Sequence, residues 1–416
     1  MRHLVWFFLG LACLSKAALA AEPSQLAKAL KTVCENPTAR PSELHALLGR
    51  QIYIHESGPQ RRVTYQEPSG ASVSVVLSLF NGTVRRASLS YLKPIGDALH
   101  PVLAVQAGPS CAVTNGRRIE RDARGSAQWL VHLDQTLADT DRREPLNPPV
   151  PAGTDPGGVT VAHIDSGVNY TLPQIAERLA RTADGDAVGY DYWDMDKRPF
   201  DVDAARSPFY PLRHGTLVSS ILVREAPDIR LIAYRYPRPD MSRMAEVLAH
   251  ASKNGAKIVA MPLGSNTRAN WAVFKDAAAR HAEMLFVVSA GNNGRNIDEA
   301  PVYPAVFDLE NLLVVTSSTI SGRLAPGSNW GPDSVDLMVP AERVEVTDHR
   351  GARGFASGSS YAVPRVAALA ARLSAQNPGW TAAQVKAAIK DLAAPGLDRT
   401  GPKVRWGWIP NPADDG

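Results

Sequence analysis

Val159-Thr160-Val161-Ala162-His163-Ile164-Asp165-Ser166-Gly167-Val168 opens the region whose pattern decides the fold. Residues 159–164 are of the buried-strand type, a carboxylate ends the run, and Gly167 turns the chain at once. Runs of the same kind recur at 231–234, 258–261, 285–289 and 312–316, and helical periodicity fills 242–254, 271–283 and 363–374 between or after them. Strands separated by helices require right-handed crossovers, so the pattern predicts an α/β fold: a parallel sheet with helices on both faces. Ligands of such sheets gather at the carboxyl ends of the strands, where Asp165 falls. Thr381 with Gln384 forms a capping box for a last helix over 382–392.

Upstream the pattern changes. Two helical stretches, 24–33 and 41–48, precede segments 51–55, 62–67, 72–79 and 83–91, which alternate or bunch β-branched and aromatic residues between Gly, Pro and Asn breaks. This predicts a small β-rich N-terminal domain over 21–135, either an accessory domain or a removable propeptide. Residues 136–157 carry Pro145, Pro148, Pro149, Pro151 and Pro156 and no apolar period, and are expected to be a Pro/Gly-rich linker. Residues 158–416 form the main domain. At the start, Arg2 and His3 precede an apolar run and the small-residue site Ala18-Leu19-Ala20, the pattern of a signal peptide over 1–20. The protein is therefore expected to be exported, to a periplasm or outside the cell, and free of the membrane after signal removal. Lipid anchoring at Cys13 has Gly10 where a large aliphatic residue is usual. With Cys13 removed, Cys34 and Cys111 are left as one disulfide or two thiols.

The chain has 416 residues, 44% of them apolar, and a formal charge of +4 with both signs interspersed, so nothing points to nucleic acid. The chemistry-bearing residues lie in four segments. Asp165 ends its strand; alone, such an acid is more often a turn or cap residue. His214-Gly215-Thr216 places a histidine at a helix start, with the glycine leaving room above the ring. Val287-Val288-Ser289-Ala290-Gly291-Asn292-Asn293-Gly294 runs from a buried strand into an amide flanked by glycines, which is either a hydrogen-bond donor to a developing oxyanion or an Asn-Asn-Gly turn. Gly358-Ser359-Ser360-Tyr361-Ala362-Val363-Pro364 puts a serine at the positive end of a buried helix, a pattern that also describes a simple capped helix.

Together and in this order, the four segments resemble the subtilisin-like serine proteases (subtilases, peptidase family S8), over roughly 158–395. Pro262-Leu263-Gly264, Tyr303-Pro304-Ala305 and Ser328-Asn329-Trp330-Gly331 add to the likeness. The resemblance implies a serine endopeptidase with Ser360 as nucleophile, His214 as general base and acid, Asp165 orienting it, and Asn292 with the Ser360 N–H binding the oxyanion. It implies a substrate pocket walled by Leu263, Gly264, Ala290, Gly291 and Val302, suited to medium apolar side chains, and protein or peptide substrates. No cofactor is required. Residues 189–196, with Asp191, Asp194 and Asp196, resemble a structural calcium loop; Lys197 and Arg198 are the alternative partners for those acids. Ser359, Tyr361, Leu217 and Pro262 depart from the family's usual residues without removing a catalytic atom. The competing reading is an inactive scaffold of the same fold that binds peptides.

Overall fold

The computed structural model describes residues 10–123, 125–238 and 240–414. Residues 1–9, the charged start of the expected export signal, lie outside the described residues; from there one helix, α1 (Gly10–Glu35), runs past Ala20 and takes in the expected 24–33 stretch. The chain divides into two units: Met1–Pro148 with Ala204–Pro211, and Pro149–Asp203 with Leu212–Gly416.

In the first unit α1 and the one-turn α2 (His45–Leu48) lead into an eight-stranded antiparallel meander. Its strands are β1 (Arg50–Ser57), β2 (Gln60–Gln66), β3 (Ser72–Phe80), β4 (Thr83–Ile95), β5 (Ala98–Ala107), β6 (Val113–Arg121), β7 (Ala127–Leu133) and β8 (Asp139–Pro145), paired in chain order. Alternation makes one face: Val73, Val75 and Leu77 of β3 and Ala87, Leu89 and Tyr91 of β4 are buried with Leu26, Ala29, Leu30 and Val33 of α1. A disulfide joins Cys34, at the end of α1, to Cys111 in the turn before β6. The expected linker needs correcting, because its residues 139–145 are strand β8. This edge strand is polar and largely exposed, held to β7 by backbone pairing, so it carries no apolar period by which to be recognised. A second correction concerns residues 204–211, expected in the main domain: Phe209, 2% exposed, packs in a cluster with Ala104, Ile119 and Leu130, and Arg117 donates to its carbonyl at 2.8 Å.

The second unit is the expected α/β fold. Its parallel sheet contains β9 (Val159–Asp165), β10 (Tyr190–Asp191), β11 (Ile229–Arg235), β12 (Ile258–Met261), β13 (Leu285–Ser289), β14 (Leu312–Ser318) and β15 (Leu337–Pro340), in the order β10-β11-β9-β12-β13-β14-β15. The helices are α3 (Pro173–Ala176), α4 (Gly215–Glu225), α5 (Met244–Lys253), α6 (Ala272–Arg280), α7 (Ser359–Gln376) and α8 (Ala382–Asp391); β16 (Val344–Thr347) and β17 (Arg353–Ala356) form a hairpin. On one sheet face Ala162, Ile164, Val259, Met261, Phe286 and Val288 bury against α5 and α6. The largely buried α7 covers the other face beside α4, touching β9, β12, β13, β14 and β15. Its N-terminus therefore lies at the carboxyl edge of the strands.

Candidate active site

Asp165, the last residue of β9, is 1% exposed. The chain turns there because Gly167 has φ +91°, and a Cβ on it would lie 2.4 Å from the Phe200 carbonyl oxygen. Helix α4 closes onto this turn. A Cβ on Gly215 would stand 1.9 Å from the Gly167 carbonyl oxygen, so only glycine after His214 lets the helix start come this near. As a result His214 Nδ1 lies 2.9 and 2.8 Å from the two Asp165 oxygens. Burial works to raise the Asp165 carboxyl, but His214 and His163 outweigh it and hold the group well below the ordinary carboxylate range. Burial likewise works against the imidazolium of His214; the Asp165 charge and hydrogen bond prevail and raise its pKa.

A second carboxylate, not anticipated from the sequence, braces this arrangement. Ser166 Oγ donates to Asp201 Oδ1 at 2.6 Å and accepts from the backbone N–H groups of His214 and Gly215 at 3.2 and 2.9 Å. Asp201 Oδ2 accepts from the Thr216 N–H at 2.9 Å. Three N–H groups that open α4 are thus satisfied by one hydroxyl and one fully buried carboxylate, whose pKa burial raises.

Asn292 follows β13 and is exposed. Its Oδ1 accepts from Ser359 N and Ser359 Oγ at 2.8 and 2.9 Å, which fixes the amide and turns its NH₂ away from Ser359. The loop is held from behind by Asn329: its Oδ1 accepts from Asn293 and Arg295 N–H, its Nδ2 donates to the Ala290 carbonyl, and its own N–H donates to Gly291 O. Ser359 is completely buried and also contacts Ser289 Oγ at 2.7 Å, so the departure to serine at this position keeps a hydroxyl that ties strand, amide and helix together. Ser360 is the second residue of α7, and its N–H is among those a helix start leaves without an intrahelical partner. The Tyr361 ring rests 5.9 Å, centroid to centroid, from His214. Among the described residues no hydrogen bond links Ser360 Oγ to the imidazole; such bonds are often long until a substrate is bound.

Of the expected pocket residues, Val302 lies between two glycines, since a Cβ on Gly264 or Gly291 would approach its Cγ1 to 3.3 or 3.8 Å. Leu263 and Gly264 also line a cleft of ≈ 390 Å³ with Tyr236, Arg238, Met241 and Trp271. Ala290 is fully buried, with its N–H bonded to the Val315 carbonyl and its own carbonyl to Asn329 Nδ2. In the loop read as a calcium site, Asp191 and Asp194 both engage Arg235 Nη1, at 2.9 and 2.5 Å. Burial pushes the Asp191 carboxyl up to about 6 in spite of that partner. Lys197 instead faces Asp186 at 3.7 Å. Among the described residues no group of three or more metal-ligating side chains occurs.

The model of the subtilase family, peptidase S8, matches residues 157–408. A thermophilic serine proteinase of Bacillus sp. (strain AK1) is 29% identical over 266 residues, covering 61% of this chain and 60% of that protein. Thermitase of Thermoactinomyces vulgaris is 26% identical over 57% of this chain and 81% of its own length. Among solved structures, the subtilase cytotoxin SubAB assembly matches with a TM-score of 0.52 at 18% identity, over 62% of this chain and 89% of that one, a likeness of fold.

Proposed function

The chain belongs to the subtilase family, and from that premise we propose that it is an exported serine endopeptidase acting through an acyl-enzyme on Ser360. Ser360 Oγ attacks the scissile carbonyl carbon while His214 Nε2 takes the hydroxyl proton. The Asn292 NH₂ and the Ser360 N–H receive the oxyanion. His214 then returns the proton to the leaving amine as the C–N bond breaks, and water repeats the route to free the serine. Asp165 remains ionised throughout and holds the imidazole with Nδ1–H toward itself. The observation that carries this reading is the direct Asp165–His214 pair beside a helix start whose Ser359 anchors Asn292.

Leu263, Gly264, Ala290, Gly291 and Val302 form the walls that receive the residue before the scissile bond, and an apolar side chain of medium size fits them best. An exported location, periplasmic or extracellular, accords with the N-terminal sequence and with a disulfide, which persists in oxidising compartments. The N-terminal unit is read as a retained accessory domain, because Phe209 and Tyr210, from the segment before His214, are packed within it.

The test is labelling of the purified exported protein with a fluorophosphonate probe. Wild type labels, Ser360→Ala does not, and the labelled species still carries residues 21–135. Failure of a folded wild type to label would sink the enzyme reading in favour of a peptide-binding scaffold.

A further inference from the structure

The carboxylate that pairs with His214 has a second imidazole beside it. His163 lies two residues before Asp165 on β9 and so on the same sheet face. Its side chain is 0% exposed, and Nε2 lies 3.4 Å from Asp165 Oδ2. The residues opposite it on β11 and β12 are Ala233 and Ala260, which leave the space that an imidazole needs. Among the described residues neither ring nitrogen has a hydrogen-bond partner. Burying an imidazole without polar partners is costly, whereas valine or leucine would fill such a strand position at no polar cost. The Asp165 group that Nε2 faces is an ionised carboxylate, which can only accept, so the nitrogen toward it is the one that bears hydrogen.

We propose that His163 is a positioning residue for the triad, its Nε2–H directed at Asp165 Oδ2 so that the carboxylate is held from a second direction while His214 moves the proton. This rests on the reading of Asp165 and His214 given above. At 3.4 Å the contact is longer than the roughly 2.7–3.2 Å of a formed N–H···O bond, so it is loose in the resting enzyme and its effect is graded rather than absolute. The other titratable groups facing the pair are His214 at the start of α4, Asp201 and Asp203 ahead of that helix, and Tyr361 on α7; β11 and β12 present alanines at the register of His163. Removing the His163 donor leaves Asp165 a stronger acceptor toward His214, which stabilises the imidazolium and moves the acid limb of activity to higher pH.

The experiment is the rate of fluorophosphonate labelling against pH for wild type, His163→Met and His163→Gln, with thermal melting of each. Methionine fills the site without a donor, and glutamine restores an N–H of similar reach. The expected result is roughly a tenfold slower labelling by His163→Met, an upward shift of its acid limb, and recovery of both by His163→Gln. Equal rates and limbs in all three proteins would overturn the proposal, as would equal losses in both variants. Should His163→Met not fold, ¹⁵N spectra of the wild-type histidines decide: His163 is expected to carry hydrogen on Nε2, and the Nδ1–H tautomer would refute it. A wild type that never labels would instead remove the reading on which the inference rests.

Discussion

The two units are built from opposite kinds of sheet. In the N-terminal unit each strand pairs with its neighbour in sequence, from β1 through β8, and the residues that meet are close in the chain. In the second unit strand order departs from chain order, and the parallel crossovers bring Asp165, His214, Asn292 and Ser360 to the same edge from widely separated segments. A meander can pack one apolar face and can be stapled, as Cys34–Cys111 staples it. A parallel sheet has a carboxyl edge where loops converge, and chemistry needing several side chains collects there. The contrast is between a unit built from neighbours in sequence and a unit whose loops gather residues from distant segments at one edge.

The strongest way to test that division is to damage the reaction without touching the fold. Asp165→Asn preserves the shape of the pair but favours the wrong imidazole tautomer, and a loss of about 10⁴ in kcat is expected, measured on any cleaved peptide. The pH profile carries its own sign. His214 must be neutral to accept the serine proton, and Asp165 raises its pKa, so the acid limb of wild type should lie above the roughly 6.5 of an ordinary histidine. Residual Asp165→Asn activity should show that limb moved downward. The melting curve of the second unit should change far less than kcat; equal losses would erase the distinction between folding and reacting residues here.

The converse test strikes the staple. Replacing Cys34 and Cys111 by serine opens a loop with a sequence separation of 77, and a loop of that length is expected to contribute about 4 kcal/mol to the stability of the N-terminal unit. Denaturant unfolding, followed by the near-ultraviolet signal of that unit, measures it. Fluorophosphonate labelling of Ser360 at low denaturant should persist. If labelling vanished with the disulfide, the meander would have a part in forming the site and the two units would not be separable in function.

How much of this was legible in sequence follows the same line. Buried strands announce themselves by apolar runs, so the five expected in the sheet lie within 159–165, 229–235, 258–261, 285–289 and 312–318. The contact between Asp165 and His214 follows from the glycines read beside those residues, because Gly167 and Gly215 meet for the steric reason the structure displays. Strand β8 was hidden because an edge strand such as Asp139–Pro145 needs only backbone partners. Asp201 was hidden because its tie to Ser166 is made across a turn that no spacing announces. Arg235, the cation that engages Asp191 and Asp194, comes from another strand, whereas sequence proximity drew attention to Lys197 and Arg198. His163 stood in plain view within the deciding stretch, but its significance depends on Ala233 and Ala260, which only the sheet register brings beside it.

The smallest expected effect isolates a purely local device in the unit that carries the site. Thr381 caps α8: its Oγ1 accepts from the Gln384 N–H at 3.3 Å, and Gln384 Oε1 accepts from the Thr381 N–H at 2.8 Å. The helix is then seated by Val385 and Ile389, which are buried. Thr381→Ala removes one half of the reciprocal pair and should cost about 1 kcal/mol, read as a lower denaturant midpoint with an unchanged slope. Because the cap is exposed and the Gln384 side chain can turn to water, no buried polar group is left without a partner. That keeps the cost far below that of losing the disulfide, and the labelling rate of Ser360 should not move. A drop in that rate would mean that the α8 cap is coupled to the start of α7, where Asn292 and Ser359 meet, and that even the peripheral helices of this unit are tuned for the reaction.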